Sequence, residues 1–256
     1  MKIRAKEWSE LPCIDLHTHT IACGHGYSTL KENIEAAKEA GLEFLGLSEH
    51  APALPGGTHP FFFSSYGCIP RKYGDLCLLC GAEVNIMDYE GNLDLEEWCL
   101  DRIDYAIASM HIPCVKPGSR EENTRALINA MKNPYVKIIG HPDDSRYPLD
   151  YEVLVQAAKE EGVFLELNNS SLNPKSPRKG GRENAIELLN TCKKYQVPII
   201  MGSDSHISYT IGHFERALEV VEEVDFPKEL IANYHPYWIG EIMIPGRLRE
   251  IMNLES

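Results

Sequence analysis

Residues 13–20 of the chain read Cys-Ile-Asp-Leu-His-Thr-His-Thr, a short apolar run that ends in two histidines, His17 and His19. Runs of the same kind recur along the chain, each bounded by turn or helix-start residues, and such runs are typical of buried strands. The predicted strands are Cys13–Leu16, Phe44–Ser48, Leu76–Val84, Tyr105–Ser109, Lys137–Gly140, Val163–Leu167 and Pro198–Gly202. The sequence therefore predicts seven short strands.

Amphipathic stretches lie between most of these runs and predict helices. They cover Ser28–Ala40, Asn123–Met131, Tyr151–Glu161, Arg182–Tyr195 and His213–Val224, and the segment from Pro227 onward also has a helical pattern. Nearly continuous apolar strands that alternate with helices indicate a parallel sheet. Seven such units predict an α/β fold and are enough to close a (β/α)7 barrel of the TIM type, with one unit fewer than the usual eight.

Composition indicates an ordinary globular protein, with 43% hydrophobic and 25% charged residues in a chain of 256. We interpret residues 1–256 as a single domain, with Thr58–Tyr66 as an inserted loop, because no linker rich in Pro, Gly or Ser divides the chain. The formal net charge of −13 argues against strong binding to nucleic acids, whose phosphates such a surface repels.

Neither a signal peptide nor an apolar run of membrane-spanning length is present, which predicts a cytoplasmic protein without membrane contact. We interpret the eight cysteines as reduced thiols. Cys77 and Cys80 form a C-x-x-C pair inside an apolar stretch, and we interpret them as part of a packed strand rather than a redox site.

Side chains of types that can bind metals lie at the end of most predicted strands or just after it. In chain order these are His17 and His19, Glu49 and His50, Glu83, His111, His141, Asn168 and Asn169, and finally Asp204 and His206. Because the carboxyl ends of parallel barrel strands meet on one face, these residues are expected to converge. Neutral imidazole and carboxylate are ligands of zinc, manganese and iron. The sequence therefore predicts a metal site at that face.

The spacing within two of these segments supports the same interpretation. Residues i and i+2 of an extended segment point the same way, so His17 and His19 can hold one ion, and Asp204 and His206 repeat that arrangement. A single H-x-H is weak evidence, and a lone histidine at a strand end is more often structural. Recurrence at several strand ends is what favours a metal site. Three other histidines, His59, His213 and His235, fall outside the pattern and are predicted not to be ligands.

The same motifs give the chain a resemblance to a known family. They are Asp-Leu-His-Thr-His-Thr at 15–20, His-Gly-Tyr-Ser-Thr-Leu at 25–30, Ser-Glu-His at 48–50, Gly-Ala-Glu-Val-Asn-Ile at 81–86, His111, Gly-His-Pro at 140–142, Asn-Asn-Ser-Ser at 168–171 and Gly-Ser-Asp-Ser-His at 202–206. In this order they resemble the polymerase and histidinol phosphatase (PHP) family, and closely its YcdX-type branch of small stand-alone phosphatases. The resemblance implies a distorted seven-stranded barrel that holds three divalent ions, most often zinc, with manganese or iron as alternatives.

The resemblance also implies how the ligands are divided among the ions. One ion would be held by His17, His19, Glu83 and Asp204; a second by Glu83 as a bridge with His111 and His141; and a third by His25, His50 and His206. Spacing alone does not single out His25, because it lies in the loop after the first strand.

The activity that follows is hydrolysis of a phosphate monoester. A hydroxide shared between ions, positioned by Glu83, Asp204 and His111, would attack phosphorus in line. For the substrate, Arg178 would hold phosphate and Asn168 would line the pocket. The expected partner is a small phosphorylated molecule, and the sequence leaves open whether it is histidinol phosphate or a sugar, nucleotide or oligonucleotide phosphate.

Two other functions are compatible with parts of this pattern. An amidohydrolase-type enzyme that cleaves a C–N bond also begins with H-x-H, but it normally has an eighth strand and often a metal-bridging lysine at the fourth, where this chain has His111. A non-catalytic metal-binding or interaction module would not need a complete ligand set. A homo-oligomer is compatible with the sequence, and no feature measures it.

Overall fold

A computed structural model describes residues 9–244, and the structural statements below refer to this part of the chain. Its strands are β1 (Ile14–Asp15), β2 (Phe44–Leu47), β3 (Lys72–Tyr73), β4 (Leu76–Cys80), β5 (Ala82–Asn85), β6 (Ala106–Ser109), β7 (Val136–Ile139), β8 (Phe164–Asn168) and β9 (Ile199–Gly202). Its helices are α1 (Leu30–Glu39), α2 (Pro60–Ser64), α3 (Glu97–Leu100), α4 (Arg120–Met131), α5 (Tyr151–Glu161), α6 (Gly181–Tyr195), α7 (Glu215–Glu223) and α8 (Ile239–Ile242).

The strands form two sheets, one in the order β1-β2-β4-β3 and one in the order β5-β6-β7-β8-β9. Every pairing is parallel except that of β3 with β4. The predicted α/β fold with parallel strands is therefore confirmed. A parallel bridge between His50 and Glu83 connects the two sheets, and a second one, between Thr18 and Ser205, connects the segment after β1 with the segment after β9.

The strand count differs from the prediction, because nine strands replace seven. The predicted strand Leu76–Val84 is two strands, β4 and β5, which pair with different neighbours. They separate at Gly81, where an added Cβ would lie only 2.5 Å from the Tyr105 ring, so the buried ring occupies the space of a side chain. The additional strand β3 pairs antiparallel with β4 through a tight turn at Gly74, whose φ of +76° favours glycine.

The helices follow the predicted pattern with small shifts at their ends. Helix α1 begins after Thr29, which forms a capping box with Glu32. The predicted inserted loop Thr58–Tyr66 is wrong, because Pro60–Ser64 is a helix. Pro60 occupies its first turn, the His59 side chain accepts a hydrogen bond from the Phe61 amide, and Phe63 is fully buried.

The C-terminal segment is only partly helical. Three short 3-10 turns, at Lys228–Leu230, Ala232–Tyr234 and Pro236–Trp238, precede α8, and the prediction beyond residue 244 lies outside the described residues. Ile239 and Ile242 of α8 pack in a buried cluster with strand residues such as Ile14 and Ile107. A second, larger cluster includes residues of the helices and of the strands. Both faces of the strands are therefore buried, as their continuous apolar pattern predicts.

Candidate metal centre

The carboxyl ends of the parallel strands carry the predicted ligands to one place. They lie as follows: His17 and His19 directly after β1, His25 in the next loop, His50 after β2, Glu83 within β5, His111 after β6, His141 after β7, and Asp204 and His206 after β9. Their rings and carboxylates contact one another, and most of them are buried. The structure therefore brings together residues that are remote along the chain.

The first expected set has the spacing of a four-coordinate site. His17 Nε2 lies 3.4 Å from Glu83 Oε2 and 3.6 Å from Asp204 Oδ1. His19 Nε2 lies 3.6 Å and 3.4 Å from the same two oxygens. Ligands at about 2.0–2.1 Å from a tetrahedral ion are about 3.3–3.4 Å from each other, so the four atoms fit around one ion.

The same four atoms are orphaned in the protein. His17 Nε2, His19 Nε2, Glu83 Oε2 and Asp204 Oδ1 are buried and have no hydrogen-bond partner among the described residues; His50 Nδ1 lies 2.6 Å from Glu83 Oε2 but out of hydrogen-bond geometry, and it is unpaired as well. Buried polar atoms are normally hydrogen-bonded, because leaving one unsatisfied costs roughly 1–3 kcal/mol. Four such atoms facing one centre are explained by a cation, which satisfies all of them at once. The residues present therefore fit a metal ion.

The second set meets the other oxygen of Glu83. His141 Nε2 lies 2.9 Å and His111 Nε2 3.3 Å from Glu83 Oε1. Glu83 is fully buried, and its two oxygens face different groups of histidines. This is the arrangement that a carboxylate bridging two ions requires.

The third set is less regular. His50 Nε2 and His206 Nε2 are 3.4 Å apart, and the His25 ring stacks on both, with centroids 4.9 and 4.5 Å away. The His50 Nδ1 atom lies 2.6 Å from Glu83 Oε2. His25 and His206 each have a possible ligand atom within 4.8 Å of the other and of the Cys23 sulfur, so these three residues form one candidate group of ligands. The sequence predicts Cys23 only as a reduced thiol, and because residues 21–25 form a turn rather than a strand, the i, i+2 spacing from His25 does not by itself indicate a shared ion.

Backbone conformation also marks this site. His141 and Asp204 have φ angles of +30° and +51°, in the left-handed region that side chains other than glycine rarely adopt. Such conformations cost on the order of 1–3 kcal/mol and cluster at functional sites. Each turn directs its side chain back toward the ends of the strands, where it meets Glu83 or the first histidine pair.

The electrostatics of Glu83, His19 and His141 favour the protonation states that bind metals, whereas at His17 burial is outweighed by the carboxylates of Glu166, Asp204 and Glu83, which raise the pKa well above its usual value. Burial opposes ionisation of Glu83, but the nearby imidazoles of His50 and His17 outweigh it and hold its pKa well below the usual value. Burial, helped by His50 and His206, holds the pKa of His19 well below its usual value, and burial lowers the pKa of His141 to about 4. These two histidines are therefore neutral at neutral pH, the form that coordinates metals.

Several residues around the site were not predicted from the sequence. His17 Nδ1 lies 2.6 Å from Glu166 Oε1, and His111 Nδ1 lies 2.7 Å from Asn85 Oδ1. Asn85 is in turn held by Asp94, which accepts from both its backbone and its side-chain nitrogen. Glu166 lies inside a strand and Asp94 in a distant loop, so neither occupies a position that strand-end reasoning would select.

The two predicted substrate residues lie at the edge of the same site. Arg178 Nη1 donates to Asp204 Oδ2 at 2.9 Å, and Asn168 Nδ2 donates to the same oxygen at 3.2 Å. Both therefore contact a predicted metal ligand. Arg178 also lines a cavity of about 360 Å³, together with His25, His50, His111 and His206.

The three histidines predicted not to be ligands have other contacts. His59 caps α2, and the exposed His213 lies 3.3 Å from Glu215. His235 packs against Trp238, with ring centroids 5.2 Å apart.

Comparison with known proteins identifies the family. A sequence model of the PHP domain matches residues 15–170. The chain belongs to the PHP domain family. Among curated relatives of this PHP domain, a probable phosphatase from Clostridium novyi (strain NT) is 49% identical over 86% of this chain and 89% of its own length. Another from Clostridium acetobutylicum is 44% identical over 94% of this chain and 98% of its own length. The sequence-based predictions of the family and of a phosphatase are confirmed at this level.

A solved structure resembles the fold of this PHP domain. The histidinol phosphate phosphatase from Lactococcus lactis, in complex with zinc, L-histidinol and phosphate, matches with a TM-score of 0.58. The match covers 85% of this chain and 95% of that one, at 16% sequence identity. At this identity the likeness shows the fold alone.

No helix within residues 9–244 is long and apolar enough to span a membrane.

Proposed function

We propose that this PHP domain is a phosphomonoesterase in which the nine predicted ligands hold three divalent ions, with zinc as the first choice. One observation carries the proposal. The buried atoms His17 Nε2, His19 Nε2, Glu83 Oε2 and Asp204 Oδ1 lack hydrogen-bond partners in residues 9–244, and their nitrogen–oxygen separations of 3.4–3.6 Å match a tetrahedral ion. The phosphatase names of the relatives give this site its chemistry.

Divalent ions in such a site lower the pKa of water and offset the charge that develops on a transferring phosphoryl group. The chain supplies the framework for that chemistry. Glu83 joins the first and second ligand sets through its two oxygens. Together with Asp204 and His111 it would fix where the attacking oxygen lies. Arg178, only 15% exposed at its side chain, would bind and orient the phosphate.

The cavity supports a small substrate. Its volume is about 360 Å³, and besides the histidines, Arg178 and Asp204 its lining contains the apolar residues Leu54, Pro55, Pro113 and Pro177 together with Ser170 and Ser176. Among the described residues, Arg178 is the one lysine or arginine in the lining of this cavity. The single guanidinium of Arg178 can bind one phosphate group. The apolar part of the lining can contact an uncharged leaving group and would not bind a chain of further phosphates. This favours a compact monoester over an oligonucleotide.

The proposed test measures metal content and turnover together. The purified protein, wild type and the variants Glu83→Ala and His141→Ala, is assayed for phosphate release from p-nitrophenyl phosphate, and its metal content is determined by elemental analysis. We expect both variants to lose bound metal and most turnover. Glu83→Ala removes the proposed bridging carboxylate, and His141→Ala removes the imidazole that contacts Glu83 Oε1. His213→Ala, which changes an exposed histidine outside the site, is the matched control. Variants that keep both the metal and wild-type turnover would refute the proposal.

We also propose that the two sheets close into the predicted seven-unit barrel and that the whole chain is one domain. Closure is supported by the Thr18–Ser205 bridge and by the hydrogen bond from His19 N to Ser205 O at 2.8 Å. A cytoplasmic location and a homo-oligomer stay predictions from the sequence.

A further inference from the structure

Glu166 is a buried carboxylate at the centre of the ligand framework. It lies within β8 and is 1% exposed. Its Oε1 atom is 2.6 Å from His17 Nδ1. Its Oε2 atom accepts from the backbone N–H of His141 at 2.7 Å and from Asn168 Nδ2 at 3.1 Å. Three nitrogens from three different segments thus converge on one side chain.

We propose that Glu166 is a positioning residue that sets the geometry of the predicted ligands His17, His141 and Asp204. The proposal rests on the metal-dependent function proposed above. At His17, Glu166 determines the tautomer of the imidazole ring. When Nδ1–H donates to Glu166 Oε1, the lone pair of the ring is on Nε2, the atom that faces Glu83 and Asp204. Carboxylates that hold a metal-binding histidine in this way raise the basicity of the ligand and fix its orientation.

At His141, Glu166 holds the backbone. Its φ of +30° is unfavourable for a residue with a side chain, and the N–H of the same residue donates to Glu166 Oε2. This charge-assisted hydrogen bond stabilises the turn that brings His141 Nε2 to within 2.9 Å of Glu83 Oε1. Loss of the bond would leave a buried amide unsatisfied and release the turn.

The link to Asp204 passes through an amide. Asn168 Nδ2 donates to Glu166 Oε2 at 3.1 Å and to Asp204 Oδ2 at 3.2 Å. The Asn168 oxygen accepts from the Ser171 backbone N–H, so the orientation of the amide is determined by its partners. Asp204 therefore keeps Oδ1 toward the histidines while Oδ2 is held from the side of Glu166.

A glycine of the last motif makes room for this pair. A Cβ added at Gly202 would lie 1.9 Å from Glu166 Oε1 and 3.0 Å from His17 Cβ. The glycine of Gly-Ser-Asp-Ser-His thus has a role that its sequence position did not reveal. It leaves the space in which the carboxylate reaches the imidazole.

The chemistry requires an acid at this position rather than an amide. All three groups that meet Glu166 are donors, and an ionised carboxylate is an acceptor at both oxygens. Glutamine has the same shape but one oxygen and one NH₂, so it must present hydrogens either to His17 or to His141 and Asn168. Glu166→Gln therefore removes the acceptor function while keeping the volume.

The test compares zinc affinity in Glu166→Gln and in a matched control. Zn²⁺ is titrated into the metal-free protein in competition with a chromophoric chelator, without substrate. We expect Glu166→Gln to weaken zinc binding about 10- to 100-fold, the usual effect of losing a carboxylate behind a ligand. Asp104→Asn is the control, because Asp104 is also buried and accepts from Arg71 and from the Cys80 amide, but it precedes β6 at the opposite end of the strands. We expect its zinc affinity to be unchanged.

A second measurement does not depend on the folding of a variant. In zinc-loaded wild type, ¹⁵N-resolved imidazole spectra are expected to show a slowly exchanging Nδ1–H proton on His17. A His17 ring with its proton on Nε2 would overturn the proposal, as would zinc affinity in Glu166→Gln within twofold of wild type. A wild-type protein that binds no zinc would instead refute the proposed function, so the two failures are distinguishable.

Discussion

Removal of Arg178 tests the proposed phosphate contact. The side-chain hydrogen bonds of Arg178 to other described residues all leave from Nη1, which donates to Asp204 at 2.9 Å, Ser171 at 3.2 Å and Asn168 at 3.3 Å. Its Nε and Nη2 atoms have no hydrogen-bond partner among the described residues, and the residue lines the cavity. A phosphate in the cavity can use two of those donors in a bidentate contact.

The expected magnitude follows from this geometry. Hydrogen bonds to charged groups contribute about 1.5–3 kcal/mol each, so two of them contribute about 3–6 kcal/mol. Because the side chain is 15% exposed and water competes for the phosphate, we take the lower half of that range. About 3–4 kcal/mol corresponds to a decrease of two to three orders of magnitude in kcat/KM, at about 1.4 kcal/mol for each factor of ten.

The assay is steady-state hydrolysis of a phosphomonoester by Arg178→Ala, Arg178→Lys and Lys179→Ala. We expect Arg178→Lys to recover only part of the loss, because an ammonium is a point charge and cannot make the planar bidentate contact. Lys179→Ala removes the neighbouring, exposed positive charge and is the control for general electrostatic attraction. If Arg178→Ala and Lys179→Ala have the same kcat/KM at equal zinc content, Arg178 does not bind the phosphate and our reasoning is wrong.

Three further predictions concern metal and stability. Treatment with a chelator is expected to abolish turnover and lower Tm by several degrees, since a ligand at 100 times its Kd stabilises by about 2.7 kcal/mol; added Zn²⁺ should restore both, and an unchanged Tm in a thermal scan would contradict this. Gly81→Ala is expected to destabilise by about 1–3 kcal/mol in urea unfolding, because its Cβ would meet the Tyr105 ring, whereas Gly67→Ala, with nothing within 4 Å, should be nearly neutral. Equal stabilities of the two variants would argue against the packing explanation. Thr29→Ala removes the capping box with Glu32 and should cost about 0.5–2 kcal/mol in the same assay; no loss would mean that the cap is compensated by water.

Much of the fold was accessible from the sequence because both faces of the strands are buried. Continuous apolar runs identified β2, β6, β7, β8 and β9 to within a residue or two. What the runs could not reveal is where a strand changes its partner. At the break, Gly81 lies against the ring of Tyr105, 24 residues further along the chain, and no local pattern encodes that contact.

The site likewise contains residues that the local sequence identifies and residues that only the folded structure reveals. Ligand candidates such as His17 and His141 stand just after strands, and the parallel order of the strands brings their carboxyl ends together. Glu166 points to the same place from within a strand, where periodicity suggests only burial. Its role depends on donors from two other segments, His17 and His141, as well as on Asn168 of its own strand, and the two distant contacts exist only in three dimensions.

The bridge between Thr18 and Ser205 has a consequence for biosynthesis. About 185 residues separate His19 from Asp204. At about 5–20 residues per second, a ribosome needs about 10–40 s to proceed from one to the other. During that interval the nascent protein carries its first histidine pair without the acid that completes the pocket. If the proposed metal site is correct, capture of the first ion would be a late event, and a product terminated before residue 200 could not complete it, because Asp204 and the last strand would be missing.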